Sequence, residues 1–335
     1  MARRFEPASE KLNGDPVTLG RNVANFSVSN DGIIVYRTGA ELTRSHLVWV
    51  DRNGKMVGAI DSPDPRVAIA NPELSPDEKR VAGDVTLDNN RDVWLLDSIR
   101  ATRFTFDPAG DWMPVWSPDG KRIVFRSNRS KMFKIYEKAA DGSGAETLLF
   151  ETEHDAMPDN WSRDGRYLMY QTLDGDGRAL WVFPFDGDRK PFVFLKTKYN
   201  QAYGQFSPDG RWVAYESNES GRTEVYVRPF PPGGGQWQVS TAGGSQARWR
   251  ADGKELYFVA PDERLMAASV TPKDAAVEIG APVALFATHL LGGGLSGYHQ
   301  QYAVAKDGRF LLTSTPEETG ASSIMFILNW KAPGE

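Results

Sequence analysis

The stretch WSPDGKRIVFRSNR, residues 116–129, contains a tight turn followed by a strand-forming run. Pro118 presets φ at the first turn position, Asp119 can accept a bond from a backbone amide two residues on, and Gly120 tolerates a positive φ. The run after the turn is rich in β-branched and aromatic residues, which favour strands. The stretch therefore predicts a β-hairpin.

Related turns recur along the chain, and their period indicates the architecture. Seven such anchors are present, at residues 29–32, 75–78, 117–120, 162–165, 207–210, 250–253 and 305–308. Their aspartates lie 46, 42, 45, 45, 43 and 55 residues apart. This period matches a four-stranded propeller blade.

Each repeat contains four strand-forming runs. In one repeat MPVWS precedes the turn, KRIVFRS follows it, FKIYEKA supplies a third run and ETLLFE a weaker fourth. The middle runs are apolar at nearly every residue, which is typical of strands covered on both faces. We expect an all-β fold, a seven-bladed β-propeller of four-stranded antiparallel blades, with residues 1–335 as a single domain.

The two chain ends are predicted to pair and so close the ring, which leaves no open sheet edge. Residues 1–20 form the closing region, in which residues 15–19 supply the missing fourth strand beside residues 324–330. Residues 2–6 are a surplus strand that either competes with residues 324–330 or lies outside the ring. Residues 287–301 are read as a loop insertion between blades six and seven.

Composition excludes several classes of protein. The 335 residues include 39 Lys+Arg and 44 Asp+Glu, a formal charge of −5, so binding to nucleic acid is not expected. There is no cysteine, which excludes thiol chemistry and Cys-based metal sites. The sequence shows neither an apolar run long enough for a membrane helix nor the apolar core of a signal peptide. We expect a monomer that does not itself insert into a membrane.

The repeat WSPDGKRIVFRSNR resembles the WD40-like (PD40) repeats of TolB-type propellers. The order of the blocks FTFDPAGDWMPVWSPDG, NWSRDGRYLMY, VYVRPFPPGGGQWQVSTAGGSQARWRADGKELYF and FILNW is similar to the C-terminal propeller region of bacterial transmembrane serine/threonine kinases. That resemblance implies a noncatalytic sensor or interaction domain in an extracytoplasmic location, although the chain itself carries no address. The glycine-rich nucleotide loop, the His-Arg-Asp loop and the Asp-Phe-Gly triplet of kinases are absent, so we expect no catalytic residue and no cofactor.

The expected binding surface is one face of the propeller. Second-to-third-strand loops and blade-to-blade connections open together on what we call the connection face, whereas the Asp-Gly turns open on the anchor face. The connection face varies between repeats and is therefore predicted to bind a protein, peptide, glycan or small ligand at the channel mouth. The candidate ligand-binding residues offer apolar area with a polar handle: Trp112, His154, Tyr199, Tyr298 and His299.

A metal-dependent alternative rests on residues of the same face. Its four histidines are His46, His154, His289 and His299. Three of them around a metal would support a carbohydrate lyase or hydrolase. The aspartates Asp107, Asp111, Asp155 and Asp159 suit a hard cation such as calcium, or else form turns and pair with arginines. Asp111, Asp155 and Asp159 are only weak candidates, and we assign no metal.

An arginine occurs in each of six second-to-third-strand loops, namely Arg44, Arg91, Arg129, Arg178, Arg222 and Arg264. A ring of cations at one mouth would attract an anionic ligand. Repetition in register favours the other interpretation, in which each arginine braces a nearby acid such as Asp92 or Glu224.

Overall fold

A computed structural model describes residues 2–6, 11–17, 23–29, 33–38, 46–64, 69–175, 177–273, 276–290, 300–314 and 324–327. The regular secondary structure of these residues is β throughout, so the all-β prediction is confirmed. Within them, no helix has the length and apolar character that crossing a membrane requires. The chain divides into two compact units, one comprising Met1–Arg44 with Pro316–Glu335 and the other Ser45–Thr315.

The strands follow one another at intervals set by the turns. In chain order they are β1 (Ala2–Glu6), β2 (Lys11–Val17), β3 (Val23–Val28), β4 (Ile34–Thr38), β5 (His46–Val50), β6 (Met56–Ile60), β7 (Ile69–Leu74), β8 (Val81–Leu87), β9 (Asn90–Leu96), β10 (Ala101–Arg103), β11 (Asp111–Trp116), β12 (Arg122–Ser127), β13 (Lys134–Ala139), β14 (Thr147–Leu148), β15 (Asp155–Trp161), β16 (Tyr167–Asp174), β17 (Gly177–Pro184), β18 (Phe192–Leu195), β19 (Gln201–Phe206), β20 (Trp212–Ser217), β21 (Glu224–Pro229), β22 (Trp237–Gln238), β23 (Ser245–Trp249), β24 (Glu255–Val259), β25 (Arg264–Pro272), β26 (Val277–Ile279), β27 (Val283–Ala287), β28 (Tyr302–Val304), β29 (Phe310–Ser314) and β30 (Ile324–Ile327).

The described residues of the larger unit form six blades. Four of them are antiparallel meanders in chain order, formed by β7–β10, β11–β14, β15–β18 and β19–β22. The fifth blade contains β23, β24 and β25, and the long strand β25 pairs with both β26 and β27. The sixth blade joins β28 and β29 to β5 and β6 from early in the chain.

The predicted number of seven blades is wrong, because the described residues form six. Strands β5 and β6 follow the first anchor, yet they complete the sheet of the last anchor instead of forming a blade with β3 and β4. In the smaller unit β3, β4 and β30 form a three-stranded sheet. Strands β5 and β30 are both short apolar segments, so local sequence does not decide which of them lies beside β4 or β29.

The predicted closing pair is also wrong. Strand β2, which contains residues 15–17, pairs with β1 and not with residues 324–327. Residues 2–6 therefore have their partner in β2, and β30 has its partner in β4. Ring closure by the terminal strands is accordingly not established. Of the predicted insertion 287–301, residues 291–299 lie outside the described residues.

The anchor turn is a small hydrogen-bonded unit. In the second blade the Ser117 hydroxyl donates to Asp119 Oδ1 at 2.6 Å and accepts from Arg122 N at 2.9 Å. Lys121 N donates to the same carboxylate oxygen at 3.1 Å, and Gly120 has a φ of 70°. These bonds satisfy the backbone at the point where the chain reverses, so a Ser-Pro-Asp-Gly sequence specifies the hairpin locally.

The core lies between neighbouring sheets. One hydrophobic cluster joins the first two blades through residues such as Val93, Trp116 and Phe125. Another joins the sixth blade to the first through Leu47 and Ile69, both almost completely buried. Because each blade packs on two neighbours, its middle strands are apolar on both faces.

Candidate functional site

Bulges distort the inner strands of the propeller. Near the middle of these strands the register shifts, and Asn71, Met113, Tyr203 and Gln246 adopt positive φ angles of 49°, 54°, 57° and 57°. A bulge releases backbone groups from the ladder and redirects side chains. Two of the released amides, those of Met113 and Gln246, bond to the preceding blade.

Those amides bond to acids of the neighbouring blade. Met113 N donates to Asp84 Oδ1 at 3.1 Å, and Gln246 N donates to Glu216 Oε1 at 2.6 Å. Asp84 and Glu216 are both buried, and each is the first polar residue after three apolar or small residues in a second strand. A polar residue at this position therefore links blades and faces the channel side.

A cavity of about 310 Å³ opens on the connection face beside Glu216. Its lining includes Arg178 from β17, Tyr203 from the inner strand β19, and the loop residues Asn200 and Asn218. The Arg178 guanidinium donates to the Tyr203 hydroxyl at 2.8 Å. The lining combines a cation, amides and a phenol, which suits hydrogen bonding to a polar ligand.

Glu216 is a buried acid that lines this cavity. Burial raises its pKa to about 8, with Asp159 adding to the shift, while the Gln246 amide and the charge of Arg178 act in the opposite direction. A protonated carboxyl can donate as well as accept a hydrogen bond. The cavity thus presents a titratable group that changes charge near neutral pH.

Arg126 lies between two aromatic rings in the second blade. It pairs across the strands with Trp112, whose ring centroid is 5.1 Å from the guanidinium carbon, and the Phe133 ring centroid is 3.8 Å away. The two rings meet edge to face at 5.5 Å. This arrangement fixes the plane of the guanidinium by cation–π contact on both rings.

The charge of Arg126 is not matched by an acid. Within the described residues it forms no hydrogen bond or ion pair, and its Nε atom is buried without an acceptor. Burial, with the positive charges of Arg91 and Arg178, lowers the pKa of Arg126 to about 10, against the opposing charges of Asp155 and Asp84. The guanidinium is therefore a cation that is held in place but lacks a counterion.

The two acids whose charges act on Arg126, Asp84 and Asp155, are already bonded to other groups. Asp84 pairs with Arg91, which donates through Nε at 2.6 Å, and Asp84 also accepts from Asn71 Nδ2 at 2.7 Å. Asp155 accepts the Phe133 amide at 2.8 Å. These bonds hold both carboxylates at positions where they support the surrounding loops.

A second cavity, of about 170 Å³, lies at the anchor end of the channel. Arg248 forms an ion pair with Glu73 there and also donates to Gln205 at 3.5 Å. Glu73 belongs to β7 and Arg248 to β23, so the pair joins the first and fifth blades directly. At the anchor end, the cavity is thus lined by charged side chains that already pair with each other.

The structure separates the predicted ligand-binding residues. Trp112 lies against Arg126, whereas Tyr199 lines a different groove with Glu219 and Tyr226. His154 is partly buried, and its backbone exchanges bonds with the Thr152 hydroxyl. Two of the five, Tyr298 and His299, lie outside the described residues.

The predicted metal ligands serve other contacts where the structure describes them. Asp111 binds Arg129 at 3.0 Å, and Asp159 accepts from Gln171 Nε2 at 2.7 Å and from Gly204 N at 3.0 Å. Among the described residues no group of three or more His, Asp or Glu side chains is arranged to hold a metal. The His299 position and the His46 side chain lie outside that description.

The loop arginines largely act as braces in the described chain. Arg91 pairs with Asp84, Arg129 with Asp111, Arg222 with Glu224 and Arg264 with Asp262. Arg178 instead reaches Tyr203 and the cavity, and Arg44 lies outside the described residues.

The sequence analysis placed candidate binding residues in loops and blade-to-blade connections, and so did not identify Arg126 and Glu216, which lie in strands. Both occupy the position in the second strand that follows three apolar residues, in IVFR and VAYE. A charged residue at that repeat position, in an otherwise apolar strand, is the signal that would have identified them.

Comparison with known proteins agrees with the propeller geometry. Residues 55–201 match the family model of the TolB beta propeller domain. This part of the chain is therefore similar to TolB-type propellers, which confirms the predicted resemblance of its PD40-type repeats. The search of curated proteins finds no significant match.

Solved structures show the same fold at low identity. A protein of Agrobacterium tumefaciens described as TolB superposes with a TM-score of 0.63 at 16% identity, over 82% of this chain and 98% of that one. An oligogalacturonate lyase in complex with manganese gives a TM-score of 0.51 at 12% identity, over 89% and 79% of the two chains. A chain of a nidogen/laminin complex gives 0.53 at 12% identity, over 72% and 99%. At these identities the likeness concerns the fold.

Proposed function

We propose that this chain is a noncatalytic protein-binding propeller that holds its partner on the connection face. The TolB-like propeller domain supports a protein-binding role, and the kinase-like order of sequence blocks supports placement as the sensor or interaction domain of a bacterial serine/threonine kinase.

The observation that carries the proposal is the difference between the two mouths of the channel. The connection-face cavity of about 310 Å³ is lined by loop residues such as Asn200 and Asn218, whereas Arg248 and Glu73 pair within the cavity at the anchor end. The anchor turns are also chemically alike from blade to blade, and loops of varied chemistry are the part of a scaffold that gives specificity.

Site-specific photocrosslinking tests the choice of face. A photoreactive amino acid replaces exposed Ser220 in the connection-face loop of the fourth blade, or exposed Arg211 in the anchor turn of the same blade. We expect partner adducts from position 220 and few from position 211, with the partner then identified by mass spectrometry and its binding repeated with purified protein. Adducts concentrated at position 211 would place the partner on the anchor face and contradict the proposal.

A further inference from the structure

The inference starts from the missing counterion of Arg126. A guanidinium that has lost much of its hydration is costly unless a charged or hydrogen-bonding group replaces the water. Arg126 has its Nε atom buried without an acceptor, and the described residues supply no carboxylate in ion-pairing range.

The surroundings keep the guanidinium fixed and positively charged. Trp112 and Phe133 hold its plane, and Arg91 and Arg178 add positive potential. Arg91 has its partner in Asp84, and Arg178 is bonded to Tyr203, so Arg126 is the member of this group with an open hydrogen-bonding fork. A planar fork of this kind binds a carboxylate through two parallel hydrogen bonds.

The aromatic rings favour an organic carboxylate over a free inorganic anion. Trp112 is partly exposed beside the charge, so it offers apolar area to the carbon atoms that carry a carboxylate. An acidic side chain or terminal carboxylate of a peptide has this combination of a negative end and a short apolar stem.

We infer that Arg126, with Trp112 and Phe133, forms a carboxylate-binding subsite for an acidic peptide segment of the partner. The inference rests on the proposed protein-binding function and specifies the chemistry of the partner at one point of the surface. Neither the repeat pattern nor the family match assigns this role to the second strand.

A blocked tetraglutamate peptide is the probe for this subsite. Calorimetry on the full chain in low salt should give a dissociation constant below about 1 mM, while a blocked tetraglutamine peptide should not bind measurably. Arg126→Gln should weaken tetraglutamate binding by about tenfold or more, because the charge-assisted pair is lost. Arg166→Gln, which changes an exposed anchor-turn arginine, should leave the affinity unchanged.

Arg126→Lys guards against a folding artefact, because it keeps the charge and removes the planar fork. It should weaken binding by several-fold while its thermal unfolding stays close to that of the parent chain. Equal binding of both peptides, or unchanged affinity in Arg126→Gln, would overturn the inference. Arg126-dependent binding of trigalacturonate without binding of tetraglutamate would overturn the assignment to a peptide. Crosslinking at position 220 is independent of these results, so the failure of one proposal is distinguishable from failure of the other.

Discussion

Single side chains decide what the channel can bind. Asp84, Arg126 and Glu216 occupy equivalent positions in the second strands of the first, second and fourth blades. Asp84 is a paired acid, Arg126 a cation without a counterion, and Glu216 an acid whose pKa is raised to about 8 by burial. The backbone at these positions is nearly the same, because the blades repeat. The difference in chemistry therefore comes from the side chain and its neighbours, which is how a repeated scaffold acquires an asymmetric site.

Glu216 makes stability depend on pH in a defined direction. Its pKa is raised from 4.5 to about 8 in the folded chain, so the folded state retains a proton that the unfolded state has lost. The contribution of Glu216 is most favourable below pH 4.5 and is lost progressively as the pH rises towards 8, by on the order of 5 kcal/mol in total. Glu216→Gln should remove this loss, since the amide oxygen can still accept from Gln246 N.

Urea unfolding at several pH values measures the effect. The variant should match the parent chain near pH 4 and exceed its free energy of unfolding near pH 8. Glu153→Gln, a change at an exposed glutamate, serves as the control and should leave the pH profile unaltered. A constant difference between Glu216→Gln and the parent across the pH range would show that Glu216 titrates normally.

At the scale of elements, the anchor turn stabilises each hairpin through hydrogen bonds between residues close in sequence. Four anchors have the same serine hydroxyl between an aspartate and a backbone amide, at Ser75, Ser117, Ser162 and Ser207. The anchors at residues 250–253 and 305–308 lack this serine but keep the bond from a backbone amide to the aspartate. The hairpin therefore forms without the hydroxyl, and the serine adds stability to a turn that is already specified.

Ser117→Ala should destabilise the chain by about 1 to 2 kcal/mol, because the partly buried Arg122 amide loses its acceptor and Asp119 loses a donor. Ser143→Ala is the matched control, since the exposed Ser143 hydroxyl also donates to an aspartate, and it should change stability by less than about 0.5 kcal/mol. Urea unfolding at pH 7 gives both values, and equal effects would argue against a stabilising role for the buried Ser117 hydroxyl.

The effect of Ser117→Ala on stability should also depend on pH in the acid range. Hydrogen bonds from Ser117 and from the Lys121 amide hold the pKa of Asp119 below its usual value of 3.8. A lowered pKa stabilises the fold above pH 3.8 and ceases to do so as the pH falls through the folded value. The difference between Ser117→Ala and the parent should thus shrink at acid pH.

At the scale of the whole molecule, the sixth blade is formed by two parts of the chain that are distant in sequence, because β29 pairs with β5. Strand β5 supplies Leu47 and Val50, which are 0% and 5% exposed, to the clusters on either side of the sixth blade. The six hydrophobic clusters found among the described residues consist of residues from the larger unit. That unit therefore contains a hydrophobic core of its own, as an independently folding domain does.

The fragment Ser45–Thr315 should fold alone, with a single cooperative thermal transition. A shorter fragment, 62–315, lacks β5 and β6 and should aggregate or unfold, since β29 then has an open edge and two core residues are missing. Circular dichroism and light scattering distinguish the two fragments. Cooperative folding of the shorter fragment would show that β5 and β6 are dispensable.

The propeller repeat was determined by the sequence itself, because its turns are local. A Ser-Pro-Asp-Gly turn and the apolar strands beside it form hydrogen bonds within a few residues, so their period predicted an all-β propeller and the positions of its hairpins. The partner of β29 and the neighbours of Arg126 were decided only by the tertiary structure. Two short apolar strands, β5 and β30, suit the same edge equally well in local terms, and long-range packing chooses between them. An arginine in a second strand likewise becomes a candidate binding group only when Trp112 and Phe133 enclose it and the nearby acids bind elsewhere.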